Sequence, residues 1–146
     1  MPRLFLSTSF VTHVDKSTGT VNGDFRNNIE AVLDALQSLH DLEVFCAVQY
    51  EKWMISKDPP EVSIRKDIDE IKKADIVLAL LTEGSSTGGQ QFEIGLAYGL
   101  GKKVLIASSQ DTKLGFFNQG VVNAGYAEHI VYTRPDAITE KIKAMI

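Results

Sequence analysis

Apolar residues along this chain fall into short continuous runs that alternate with longer stretches in which they recur every three or four positions. The runs are Arg3 to Ser7, Leu42 to Val48, Asp75 to Leu81, Lys103 to Ala107 and His129 to Tyr132. Each has strand length and is bounded by polar or glycine-containing sequence. Phe25 to Leu39 carries Ile29, Val32, Leu33 and Leu36 at helical spacing, with Asn22 or Asp24 able to cap its start. A second helix follows Pro59 and Pro60, either of which can open it, and runs to Ala74 with Ile64, Ile68 and Ile71 on one side. A third opens near Gln90 and closes at Gly101, and a last helix runs from Asp136, its expected cap behind Pro135, to Ile146. Two polar segments, Ser7 to Asp24 and Gln49 to Val62, read as irregular. Asp111 to Glu128 reads as a loop with a short helix at most.

Strands alternating with helices imply a mostly parallel sheet with right-handed crossovers and helices on both faces. The expected fold is therefore a single-domain, doubly wound α/β sheet of about five strands, flavodoxin- or Rossmann-like, occupying residues 1–146. A length of 146 residues with 44% hydrophobic and 23% charged content suits one such domain.

Charge narrows the partners. A net charge of −4 and a pI near 5.3 offer no general attraction for polynucleotide or an anionic membrane. Cys46 is the single cysteine, which excludes an intramolecular disulfide and a cysteine metal cluster, and in its apolar run it reads as a buried core residue. His13, His40 and His129 lack metal-ligand spacing, so neither metal nor cofactor is expected. Tyr50 and Trp53, aromatic residues in a loop, are expected to cover the core. The first residues lack the apolar length of a signal peptide, and no segment approaches transmembrane length, which points to the cytoplasm.

The chemistry concentrates between Asp67 and Lys103. Glu93 shares a helical face with Leu96, Ala97 and Leu100, and Asp67 falls beside Ile64, Ile71 and Ala74. A carboxylate on an apolar face needs a partner or a raised pKa. Two that converge suit glycosidic-bond cleavage, one attacking or shielding the anomeric carbon while the other handles a proton. The bland alternative for Glu93 is a helix-start acid stabilised by the macrodipole. Asp69 and Glu70, near Arg65, Lys66, Lys72 and Lys73, read as solvated salt-bridge partners. The loop before the third helix offers Ser85, Ser86 and Thr87 and glycines, Gly89 among them, that admit close approach by a sugar or phosphate. It has neither the P-loop nor the dinucleotide fingerprint. Ser7, Thr8 and Ser9 end the first strand at the same predicted sheet edge. Gly95 and Gly99 inside the third helix suggest close packing on a strand.

The run from Asp67 through Ala74-Asp75, the apolar strand and the Gly89 turn to Glu93-Ile94-Gly95-Leu96-Ala97-Tyr98 and Gly101-Lys102-Lys103-Val104 resembles a known family. It is that of the nucleoside 2-deoxyribosyltransferases, a superfamily that includes 2′-deoxynucleoside 5′-phosphate N-hydrolases. The likeness covers most of the chain in element order, and the Asp-to-Glu segment is its specific part. It implies that Glu93 is the nucleophile on the anomeric carbon, that Asp67 assists proton transfer and positioning, and that Ser7-Thr8-Ser9 wraps the sugar or its 5′ substituent. Thr87 stands where the transferase branch has a base-binding aspartate and the phosphate-hydrolase branch a serine, which leans toward a hydrolase. Val11 stands where that branch has an arginine, leaving Lys16 or Arg26 to substitute in a 5′-phosphate clamp. Phe5 replaces the family's first-strand tyrosine, which contacts the nucleophile, and so removes a hydroxyl that could tune Glu93. The segment Gly115 to Asn118 matches the place where a neighbouring subunit reaches across, with Asn118 as the stand-in, so the resemblance also implies a homodimer or higher homo-oligomer.

The function expected from this combination is an N-glycosidase acting on a nucleoside or nucleoside 5′-monophosphate, with the sugar passed to water or to another base. Two rivals keep the pocket. One is an NAD-cleaving glycohydrolase, as in Toll/interleukin-receptor-type hydrolases. The other is a non-catalytic nucleotide-binding sensor, for which the loss of polar groups at Phe5 and Val11 speaks.

Overall fold

Five parallel strands in the order β2-β1-β3-β4-β5 form the sheet of this computed structural model, which describes residues 1–10, 13–82 and 86–146. The elements in chain order are β1 (Arg3–Ser7), α1 (Gly23–Gln37), β2 (Glu43–Cys46), α2 (Ala47–Tyr50), α3 (Pro60–Lys73), β3 (Ile76–Leu81), α4 (Gly88–Gly99), β4 (Lys103–Ser109), α5 (Phe116–Asn123), β5 (Glu128–Tyr132) and α6 (Asp136–Lys143). The chain is a single doubly wound α/β domain, as its alternating periodicities imply.

The two faces follow from the period-two geometry of strands. Leu4, Leu6, Ile76, Leu78 and Leu80 pack under α1 and α6, whereas Phe5, Val77, Ala79 and Leu81 pack under α3 and α4, with α5 alongside. All six residues of β3 are buried, as a central strand covered on both sides requires. Asn22 caps α1 by accepting the Asp24 N–H at 2.9 Å. Gly101, at φ +73°, closes α4: its N–H reaches the Tyr98 carbonyl at 3.0 Å and the Lys102 N–H reaches Ala97 at 2.9 Å, a paired arrangement that a left-handed residue permits.

Several expectations change. The second strand stops at Cys46, and its last apolar residue, Val48, is buried from the short helix α2 instead. The short helix allowed for within Asp111 to Glu128 is present, as α5. Pro135 occupies the cap position of α6 without a side-chain bond, and Asp136 lies in the first turn, paired with Arg134 at 3.4 Å. Ile64 is exposed, because α3 meets the sheet only from its second half, where Glu70, Ile71 and Ala74 turn inward. Leu100 is exposed too, since α4 has ended before it. Gly95 and Gly99 face outward, and a methyl group on either would meet nothing within 4 Å, so close strand packing does not explain them. The first irregular segment folds back on itself through a bridge from Val14 to Val21 and pairs with the second through a bridge from Thr20 to Met54. Trp53 is buried there beneath the Arg26 guanidinium, 5.0 Å from its ring. Among the described residues no helix is long and apolar enough to cross a membrane.

Candidate functional site

Strand order reverses at β1, which has β2 on one side and β3 on the other. Chains leaving the carboxyl ends of β1 and β3 therefore diverge and open a crevice, where sheets of this kind bind ligands. Ser7 ends β1 two residues after Phe5 and so points to the α3/α4 face. On that face α4 turns Gln90, Ile94 and Ala97 inward, with partly buried Glu93 on the edge of the same stripe. Ser7 Oγ donates to Glu93 Oε1 at 2.7 Å.

A second set of bonds ties the crevice together. Gln90 Nε2 donates to the Ser7 carbonyl at 3.1 Å and to the Leu80 carbonyl at 3.2 Å, and its Oε1 accepts from Ser9 Oγ at 3.0 Å. Ser9 Oγ in turn accepts from both the N–H and the Oγ1 of Thr87, each at 3.1 Å. On the far side Ser86 and Asn118 exchange hydrogen bonds at 3.2 and 2.9 Å, and Gln91 Nε2 holds the Ser86 carbonyl at 3.3 Å. Seven residues expected at the site from sequence thus line one sheet edge: Ser7, Ser9, Ser86, Thr87, Glu93, partly exposed Thr8 and exposed Gly89. Ser85 and Val11 lie outside the described residues.

Asp67 projects from α3, which packs beside α4 on the same face. Burial pushes the Glu93 carboxyl up to about 8; the Ser7 hydrogen bond works against this, and the negative charge of Asp67 adds to it. Burial also lifts Asp67 to about 6, helped by the charges of Glu51 and Glu70 and opposed by Lys66. Cys46, at the end of β2, is raised to about 11, mainly by burial, and feels both Glu93 and Asp67. The two carboxylates therefore share one weakly solvated region. Such a pair loses its protons in two steps, and between pH about 6 and 8 it holds a single proton, mainly on the more strongly raised Glu93.

Glu70 differs from expectation, and Asn118 and Arg26 show partners within the chain that the sequence does not name. Glu70 is buried, not solvated: burial pushes its carboxyl up, but Lys66 at 3.0 Å, Lys73 at 3.7 Å and Arg3 at 3.5 Å outweigh that and hold it below the usual carboxylate range. Asn118, expected where a neighbouring subunit reaches across, is fully buried and holds Ser86 of its own chain. Arg26 is committed to Glu30 at 2.7 Å and to the Trp53 ring. Gln90 joins the site without being among the residues expected there. Its signal was present, an amide three positions before Glu93 on the same apolar stripe.

Residues 24–131 match the nucleoside 2-deoxyribosyltransferase family. No curated protein matches the chain. Among solved structures, the CMP N-glycosidase BcmB of Clostridium botulinum superposes with a TM-score of 0.64 at 20% identity, over 97% of this chain and 98% of that one. A 2-deoxyribosyltransferase of Bacillus psychrosaccharolyticus gives 0.65 at 18% identity over 93% and 89%. The protein BlsM gives 0.73 at 22% identity over 97% and 87%. At such identities these three likenesses speak for the fold alone. The match that spans most of the chain is with the family itself, and the chain belongs to the nucleoside 2-deoxyribosyltransferase family.

Proposed function

We propose that this protein is an N-glycosidase that cleaves the bond between base and sugar in a nucleoside or nucleoside 5′-monophosphate and passes the sugar to water or to another base. The observation that carries this reading is the Glu93 carboxyl at the carboxyl ends of β1 and β3, held by Ser7 at 2.7 Å, with Asp67 on the adjacent α3 close enough for its charge to act on it. One ionised and one protonated carboxyl is what the reaction needs. Because Glu93 is raised further than Asp67, the resting proton sits mainly on Glu93 and first passes to Asp67. In the first step an oxygen of the now ionised Glu93 bonds to the anomeric carbon, the carbon–nitrogen bond breaks, and the departing base takes that proton from Asp67. In the second, water or an incoming base attacks that carbon, releases the Glu93 carboxylate and returns a proton to Asp67.

The remaining groups divide by how their protons are spent. Ser9 accepts twice from Thr87 and donates to Gln90, so it shapes the loop. Asn118 does the same for Ser86. Thr8, which forms no side-chain hydrogen bond among the described residues, and Gly89, with open space where a side chain would stand, are left to meet the sugar. Thr87 Oγ1 has given its proton to Ser9 and faces a ligand as an acceptor. The names of the solved relatives, a CMP N-glycosidase and a 2-deoxyribosyltransferase, support the bond class. A homodimer or larger assembly is part of the proposal, supported by Phe116 at 99% exposure and by exposed Phe92, Tyr98 and Tyr126.

The test is chromatographic base release from ribo- and deoxyribonucleosides, their 5′-monophosphates and NAD, with and without an acceptor base. Release by the wild type and its loss in Glu93→Ala support the proposal. Nicotinamide release from NAD alone would replace it with the NAD-cleaving reading, and ligand binding without any release would replace it with a sensor.

A further inference from the structure

We infer that Gln90 and Ser7 form a positioning device for Glu93: the Gln90 amide clamps the carboxyl ends of β1 and β3 so that the Ser7 hydroxyl donates to Glu93 and favours its ionised, attacking form. This rests on the proposed function for its catalytic meaning and on geometry alone for its physical content.

The parallel ladder between β1 and β3 runs from Leu4 opposite Ile76 to Ser7 opposite Ala79. Just where it ends, the Ser7 and Leu80 carbonyls need other donors, and both N–H groups of Gln90 fill that need. Gln90 is 1% exposed and accepts from Ser9 as well, so every polar atom of its amide is engaged inside the protein. It sits three residues before Glu93 on one helical stripe and therefore fixes the rotation of α4 and the end of β1 together. Ser7 is 1% exposed, so its hydroxyl acts through Glu93 and not by touching substrate.

Among the described residues Ser7 is the side-chain donor to Glu93, and the groups whose charge acts on or near Glu93 make no hydrogen bond to it. Asp67, from α3, carries negative charge of its own, and the buried Cys46 thiol, from β2, lies within the field of both carboxylates. Phe5, the next residue of β1 on the same face, is apolar. Of the two ways the pair can hold one proton, only the form with the proton on Asp67 leaves Glu93 able to attack and a proton ready for the base. A hydrogen bond to the Glu93 carboxylate favours that form.

The experiment combines ¹³C-detected titration of the Glu93 carboxyl with steady-state base release, for wild type, Ser7→Ala, Ser7→Thr and Gln90→Met in the full chain. Ser7→Ala and Gln90→Met should move the Glu93 midpoint to higher pH. Both should lower kcat by about 10- to 100-fold, the range for losing a hydrogen bond to a charged group, with KM within about twofold. Ser7→Thr, which keeps the hydroxyl, should titrate and turn over like the wild type. An unchanged Glu93 midpoint in Ser7→Ala overturns the proposal, as does a Ser7→Ala variant that loses KM and keeps kcat. If Gln90→Met does not fold, the Ser7→Ala titration decides. If the wild type releases no base, the proposed function fails by itself while the titration still decides this inference: a raised midpoint supports it and an unchanged one overturns it.

Discussion

Glu93 should destabilise the protein above neutral pH, and replacing it by glutamine should therefore stabilise the fold while abolishing turnover. Its carboxyl is displaced from 4.5 to about 8, chiefly by burial. At about 1.4 kcal/mol per pH unit the ionised form is penalised by at most about 5 kcal/mol, and the partial solvent contact of this side chain brings that to about 3 kcal/mol. The folded state holds a proton that the unfolded chain has lost, so stability falls as pH rises from about 4.5 and the full penalty is present above about 8. Glu93→Gln removes the charge but keeps the size and a group that Ser7 can bond. Urea denaturation of both proteins should thus give stabilities within about 1 kcal/mol at about pH 5 and a variant more stable by about 3 kcal/mol at about pH 8.5. In a chain of this length the alkaline gain corresponds to a Tm higher by about 6–12 °C. A stability difference that does not depend on pH, or a variant less stable at alkaline pH, would refute the placement of Glu93 in a weakly solvated site.

Other perturbations probe separate parts of the account. Asp67→Asn should lower the pH at which Glu93 titrates, because the Asp67 charge helps raise it, and should slow base release by about 100-fold or more through loss of the proton donor; both are read on one purified variant. Gly95→Ala should stabilise by about 0.5–1 kcal/mol in thermal unfolding, since the added methyl meets nothing within 4 Å; a loss of stability would mean that a second subunit packs on this face of α4. Phe116→Ser should shift sedimentation toward smaller species at micromolar protein if this fully exposed ring is an assembly contact, and an unchanged profile would remove Phe116 from that role.

Much of this molecule is legible in its sequence because the period of its apolar residues switches cleanly between strand and helix. The five runs are the five strands, and β3 declares its central position by being apolar throughout. Errors arise where local pattern and tertiary surroundings diverge. Glu70 has lysines at helical spacing and looks like a surface pair, but Arg3, from a strand 67 residues away, helps enclose it. Val48 continues an apolar run, yet the backbone turns after Cys46 and buries it from α2. For the candidate site, the sequence points to the residues but not to their partners. The bond from Ser7 to Glu93 joins positions 86 residues apart, and the proton accounting that separates structural hydroxyls from those left for a ligand exists only in three dimensions. Gln90 was hidden for a related reason: a glutamine near a helix start looks solvated until two strand ends are seen to lack donors.

The most direct test of Glu93 as nucleophile is to trap the sugar on the protein. The wild type is mixed with the substrate that releases base, quenched in acid within a turnover, and weighed intact and after proteolysis by mass spectrometry. A pentosyl adduct on the peptide that carries Glu93, absent from Glu93→Gln, is the expected result. An adduct confined to another residue, or base release by Glu93→Gln at the wild-type rate, would contradict the account.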